Sequence, residues 1–222
     1  MKQIIHRLKT GELQLREVPS PELKQDGILV QNKFSAVSAG TEEAVIRLAR
    51  KNILNKARER PDLAKQVFDM AKNDGLLSTY HAVKGRLESP SSLGYSCCGK
   101  VLEVGDNVNE FSVGDIVACG GAGYANHAEV AYVPENLAVK VPTGVDPRDA
   151  AFTTIGAIAM QGIRRTKLSP GENVAVIGLG LIGLLTSQIL LAYGSPVLGI
   201  DIDPDHVMRG MEIGLDESVT TA

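Results

Sequence analysis

Through the first two thirds of the chain, apolar and polar residues alternate in short runs, and toward the end longer apolar blocks take over. Runs at 13–18, 28–34, 99–104, 115–118, 128–133 and 138–141 are separated by Gly, Pro, Asp and Asn. Short strands at that density predict a barrel or sandwich. Between the second and third runs the period changes. Ile46, Ile53 and Ala57 fall on one helical face, and beyond Pro61 the residues Leu63, Val67 and Met70 recur at i, i+4 and i+7. The spacing predicts two helices over 41–73, broken at Pro61 because its ring cannot continue a helix. Another helix is predicted over 148–166, started by Asp146-Pro147, with Ala and Gly that allow close packing. The expected organisation is a β-rich domain over 1–150 and a second domain over 151–222.

The second region opens with a short apolar strand that runs into Gly178-Leu179-Gly180-Leu181-Ile182-Gly183 and then a helix-compatible run over 184–193. An apolar strand at 196–200 follows, and Asp201 stands 18 residues after Gly183. In a G-x-G-x-x-G turn the first glycine allows the tight exit from the strand, the second admits a pyrophosphate close to the backbone, and the third lets helix pack on strand. The unpaired N–H groups that start the helix face the phosphates. A carboxylate at Asp201, beside Ile202, accepts hydrogen bonds from the adenosine ribose and repels a 2′-phosphate, so NAD is expected over NADP. A helix at 204–213 and a strand at 217–220 complete the pattern, only the first part of a doubly wound sheet. The chain therefore reads as the N-terminal portion of a longer protein.

Composition narrows the class without naming the chemistry. The 222 residues are 44% apolar and 22% charged, ordinary for a globular protein. A formal net charge of −3 leaves no electrostatic footprint for nucleic acid. No apolar run reaches the ~18 residues of a membrane span. Met1 to Arg7 lack the pattern of a signal peptide, so a cytoplasmic protein is expected. Cys97, Cys98 and Cys119 have no C-x-x-C spacing and read as small core residues.

One stretch carries a resemblance. Gly94-Tyr95-Ser96-Cys97-Cys98-Gly99-Lys100-Val101-Leu102-Glu103-Val104-Gly105, followed by Val108, Phe111 and Gly114-Asp115-Ile116-Val117, resembles the G-H-E-x-x-G-x-V-x-x-V-G and G-D-x-V motifs of the medium-chain dehydrogenase/reductases, the zinc alcohol dehydrogenase relatives. Ala39-Gly40-Thr41-Glu42 resembles their C-G-T-D, and Ala128-Glu129 through Val133-Pro134 their A-E-Y-x-x-V-P. The resemblance covers essentially the whole chain. It implies an α/β fold: a GroES-like β-rich catalytic domain with a helical insertion over about 41–86, followed by the first part of a Rossmann dinucleotide-binding domain. The insertion and the Gly94-Tyr95-Ser96 variant resemble most the bi-domain oxidoreductases of bacterial polysaccharide clusters.

The departures from the motif bear on chemistry. Where the family places a zinc-binding Cys, His and third ligand, this chain has Ala39, Tyr95 and a position near Thr153. An alanine offers no lone pair, and phenol and hydroxyl are poor zinc ligands at neutral pH, so no catalytic zinc is expected. An improvised metal site would have to draw on Cys97, Cys98, Cys119, His81 or His127. Without a Lewis acid, hydride transfer still needs charge stabilised on oxygen and a proton moved. By alignment Tyr95 is the candidate acid, Thr41 the hydroxyl that touches substrate, and Glu42 a carboxylate able to orient Tyr95. Thr41, Glu42 and Glu43 equally suit the first turn of a helix. His81 and His127 read as surface or turn residues. The basic run Arg47, Arg50, Lys51, Lys56, Arg58 and Arg60 reads as a solvated face or as a wall for an acidic sugar.

The leading expectation is an NAD-dependent, zinc-independent oxidoreductase acting on a small-molecule alcohol or ketone, such as a sugar derivative, without nucleic-acid or membrane partners. A C-terminal continuation or partner domain is expected, and a homodimer is an allowed assembly. The alternatives are a non-catalytic nucleotide-binding scaffold module and a quinone or enoyl reductase.

Overall fold

The computed structural model describes residues 1–7, 10–50, 58, 61–169 and 171–221. They form two compact units, Met1–Ala151 and Phe152–Ala222.

The first unit is built on a five-stranded antiparallel sheet in the order β7-β3-β5-β6-β8, where β3 is Gly27–Ser35, β5 Ser96–Val104, β6 Ile116–Gly120, β7 Val130–Pro134 and β8 Ala138–Lys140. Period-2 alternation sends successive side chains to opposite faces. Ile28, Val30, Cys97, Val101, Val117, Cys119, Ala131 and Val133 fill one core with Val108 and Phe111. Cys98 and Ala118 point to the other face and pack on Ala150 and Ala151. All three cysteines are free and buried. Burial, reinforced by neighbouring Cys97, pushes the Cys98 thiol up to about 11 and keeps it protonated.

A second sheet, β2-β1-β4, pairs β1 (Lys2–Arg7) with β2 (Leu13–Glu17) and β4 (Pro90–Ser92). Neither β1 nor β4 was expected. The first packs two isoleucines between charged residues and the second has no apolar residue, so pairing rather than pattern makes them strands.

The insertion contains α1 (Ala39–Arg50), α2 (Pro61–Asp74) and a third helix, α3 (Leu76–Glu88), which the period did not reveal. Gly75, at φ 88°, turns the chain between α2 and α3, and Thr79 Oγ1 donates to Gly75 O at 3.0 Å. Residues 51–57, 59 and 60, which hold Lys51, Ile53, Lys56 and Arg60, lie outside the described residues.

The single helix expected over 148–166 is two. Asp146 caps α4 (Pro147–Ala150) by accepting from Arg148 N–H at 2.8 Å. The Ser96 hydroxyl then donates to Ala151 O at 2.6 Å, drawing off a carbonyl that a continuous helix would use. The second unit begins just beyond, with α5 (Thr153–Thr166).

In that unit three parallel strands, ordered β11-β10-β9, alternate with helices: β9 (Val174–Ile177), α6 (Leu181–Ala192), β10 (Val197–Asp201), α7 (Pro204–Glu212) and β11 (Glu217–Thr220). Val176, Leu179, Leu190, Val197 and Leu215 form its core. Among the described residues, no helix is long and apolar enough to cross a membrane.

Sheet closure in the first unit depends on Gly99, where an added Cβ would lie 2.2 Å from Gln31 O of the paired strand. Gly99→Ala is expected to force β3 and β5 apart and cost about 1–3 kcal/mol. Gly85→Ala, in α3 with nothing within 4 Å of the new methyl, is expected to stabilise by about 0.5–1 kcal/mol. Thermal melts of the two variants should shift in opposite directions.

Candidate functional site

Each unit carries its own set of candidate groups. In the second unit the chain leaves β9 through Gly178 at φ 93°, a conformation that costs glycine nothing. Its N–H donates to Ile200 O at 2.7 Å, which ties the turn to β10. Gly183 packs so closely that a Cβ would fall 1.8 Å from Gly178 O. Around Gly180, by contrast, an added Cβ would meet nothing within 4 Å, so the outer side of the turn is open. The first intrahelical bond of α6 runs from Leu184 N–H to Gly180 O at 2.9 Å. The N–H groups of Leu181, Ile182 and Gly183 lie before it, where a helix has no internal acceptors to offer. Leu179 is fully buried, so only its backbone can serve a ligand, whereas Ile182 and Ile202 are exposed.

Asp201 ends β10 against this turn. One carboxylate oxygen accepts from Leu179 N–H and approaches His206 Nδ1 at 3.2 Å, and the other accepts from Asp203 N–H at 2.9 Å. The hydrogen bonds from Asp203 and Leu179, with His206 adding to them, hold its carboxyl below the usual carboxylate range, so it is ionised at neutral pH. Such an acceptor at a strand end, beside open helical N–H groups, fits the ribose and diphosphate of a dinucleotide. His206 was not singled out from the sequence. Its signal is its place in the first turn of the helix that Asp203 caps, five residues past Asp201.

In the first unit, Ala39 opens α1 and is exposed, Thr41 is exposed, and Tyr95 is half-buried. Tyr95 O accepts from Gly121 N–H at 2.9 Å, and its hydroxyl forms no hydrogen bond among the described residues. Glu42 does not orient Tyr95. Its Oε1 instead meets His127 Nε2 at 3.1 Å and accepts from Ser38 N–H at 3.2 Å. Ser38 Oγ lies 3.1 Å from Thr41 Oγ1, so Ser38, Thr41 and Glu42 together close the first turn of α1.

His127 lies at a bend of the chain, as a turn residue would, but it is not at the surface. It is 7% exposed, and its Nδ1 lies 2.8 Å from Ser35 Oγ. No local pattern marks it, because both ring partners lie more than 80 residues away. His81 is exposed, edge-on to Tyr80.

In the motifs that resemble the zinc-binding C-G-T-D and G-H-E, the first unit holds the Ala39 methyl group and the Tyr95 phenol. This donor set does not fit zinc. Among the described residues, no three His, Cys, Asp or Glu side chains are grouped to hold a metal ion. Of the basic run, Arg47, Arg50 and Arg58 are described and exposed.

Residues 70–143 match the alcohol dehydrogenase GroES-like domain. Sorbitol dehydrogenase of Halalkalibacterium halodurans is 27% identical over 175 residues, covering 65% of this chain and 51% of the relative. The chain thus spans about half the length of the curated relatives it matches. Among solved structures, an alcohol dehydrogenase from Thermus sp. ATN1 superposes with a TM-score of 0.73 at 20% identity, over 99% of this chain and 63% of that one. Escherichia coli quinone oxidoreductase, solved with NADPH, gives 0.73 at 18% identity, over 99% and 58%. Strand order, the glycine turn and these likenesses agree: the chain carries an alcohol dehydrogenase GroES-like domain followed by Rossmann-type strands, and it is similar in sequence to polyol dehydrogenases and in fold to alcohol dehydrogenases and quinone oxidoreductases.

Proposed function

We propose that the chain supplies the substrate-side domain and the adenosine-binding half of an NAD-dependent, zinc-independent oxidoreductase. The reaction moves a hydride between the coenzyme and an alcohol or ketone, and a sugar derivative fits both the polyol-acting relative and the kinship to bi-domain oxidoreductases of polysaccharide clusters that the Tyr95 variant suggests.

The observation that carries this reading is the ionised Asp201 carboxylate set against the open glycine turn. Gly178, Leu179, Gly180, Leu181, Ile182 and Gly183 offer backbone to the diphosphate. Asp201 would accept from the ribose hydroxyls and oppose a 2′-phosphate by charge, and Ile202 would flank the adenosine. The coenzyme held there would supply the hydride chemistry.

When an alcohol gives up hydride from carbon, its O–H proton must pass to a base, and the reverse reaction must return one. Tyr95 is the proposed proton donor and acceptor at the substrate oxygen. Thr41 hydrogen-bonds that oxygen. Glu42 supports the arrangement through His127 rather than through Tyr95 itself. With Ala39 in place of a thiolate, no step is assigned to zinc.

A quinone or enoyl reductase is the second reading, favoured by the same donor set without thiolate or imidazole. The Asp201 charge argues against the NADPH that accompanies the quinone oxidoreductase of similar fold.

Calorimetric titration of the full-length protein with NAD and NADP tests the coenzyme assignment. Asp201→Asn removes the charge and keeps the shape, so NAD binding should weaken about tenfold or more while NADP binding does not. Unchanged selectivity would refute the ribose contact. Tyr95→Phe should lower kcat by about 100-fold or more at unchanged thermal stability. Full turnover in that variant removes Tyr95 from the chemistry.

A further inference from the structure

We infer that His127 is a positioning residue of the first unit's site, acting through Glu42 and through the turn that bears Tyr95. The inference rests on the oxidoreductase reading above.

Main-chain bonds fix the residue before its ring does anything. His127 N–H donates to Leu93 O at 2.8 Å, and His127 O accepts from Ile4 N–H at 2.9 Å. On either side, Asn126 O and Ala128 O accept from Asn32 Nδ2 at 3.1 and 2.8 Å. The ring then lies flush with Gly94. A Cβ there would fall 2.7 Å from His127 N and 3.0 Å from ring atoms Cγ and Nδ1. The turn Leu93-Gly94-Tyr95 is thus moulded on this one histidine, by a hydrogen bond before Tyr95 and by van der Waals contact at the glycine.

The two ring nitrogens reach the other half of the site. Nε2 faces Glu42 Oε1 at 3.1 Å, and Nδ1 faces Ser35 Oγ at 2.8 Å. An ionised carboxylate can only accept, so Nε2 carries the proton. In the neutral ring Nδ1 then accepts from the Ser35 hydroxyl, which pins the tautomer and the ring plane. The oxygen held by Nε2–H is the same one that accepts from Ser38 N–H in the first turn of α1, where Thr41 sits. The turn of Tyr95 and the turn of Thr41 therefore share one imidazole as their common support. With the Glu42 side chain 13% exposed and His127 buried, water replaces this bond poorly.

Nitrogen-15 spectra of the imidazole in the chain as it stands should show protonated Nε2 and unprotonated Nδ1. A protonated Nδ1 with bare Nε2 overturns the assignment. Two variants of the full-length protein then separate positioning from bulk. In His127→Gln the amide nitrogen takes the place of Nε2 and can still donate to Glu42, whereas in His127→Asn the amide takes the place of Nδ1 and reaches only Ser35. Both lose the ring, so a merely structural role lowers both alike. Positioning through Glu42 makes His127→Asn slower in kcat by about 10- to 100-fold relative to His127→Gln, as expected for one lost hydrogen bond to a charged group. The KM for NAD should be the same in the two. Equal losses in an otherwise active enzyme overturn this inference alone. A wild-type protein that turns over no alcohol with NAD overturns the oxidoreductase reading and this inference together, while the tautomer still reports the geometry by itself.

Discussion

Main chain lying directly against its neighbour, with no room for a β-carbon, is the constraint on which both units depend. At Gly99 it lets β5 approach Gln31 of β3, the strand that pairs on both sides in the five-stranded sheet. At Gly183 it brings α6 onto the turn that leaves β9, and at Gly94 it seats a backbone turn on the His127 ring. Each is a contact that any larger residue would force open, most at Gly183 and Gly99 and least at Gly94. In a close-packed interior such an opening is felt by every group that the contact positions. The candidate chemistry lies next to these contacts. Gly94 adjoins Tyr95, and the Gly178–Gly183 contact shapes the turn that Asp201 faces.

Polar groups in the first unit follow from the same tight packing. A buried imidazole must have partners for both nitrogens, and Ser35 and Glu42 supply them. This consumes the Glu42 oxygen that alignment with zinc-dependent relatives would assign to supporting a neighbouring zinc ligand. The residue at the equivalent position is Tyr95, a phenol, and its hydroxyl is left without a protein partner among the described residues. The geometry thus ties one carboxylate and one imidazole to the local backbone and leaves the Tyr95 phenol out of that network. Asp201 in the second unit is braced differently, by backbone N–H groups that favour its ionised form.

Much of this was legible in the residue order. Period-2 runs located the main strands, and the glycine spacing followed by Asp201 located the dinucleotide-type turn, because those features are set within some 30 residues by local chain geometry. The order of motifs pointed to alcohol dehydrogenase relatives, in line with the GroES-like match and the sorbitol dehydrogenase similarity. Where the reading failed, the cause lay at longer range. β1 and β4 have weak patterns and become strands only because each finds an edge to pair with. The helix expected over 148–166 divides because Ser96, 55 residues earlier, bonds the Ala151 carbonyl.

By itself, the amino-acid sequence determined the fold class, the glycine turn with its terminal carboxylate, and the alanine and phenol that stand at Ala39 and Tyr95. Those properties belong to residue identities and short spacings. Only the tertiary structure decided that His127 is buried, that it takes Ser35 and Glu42 as partners from 92 and 85 residues away, and that Glu42 is thereby withheld from Tyr95. A hydrogen bond is made by atoms within about 3 Å, and across such separations only the pairing of strands brings them there.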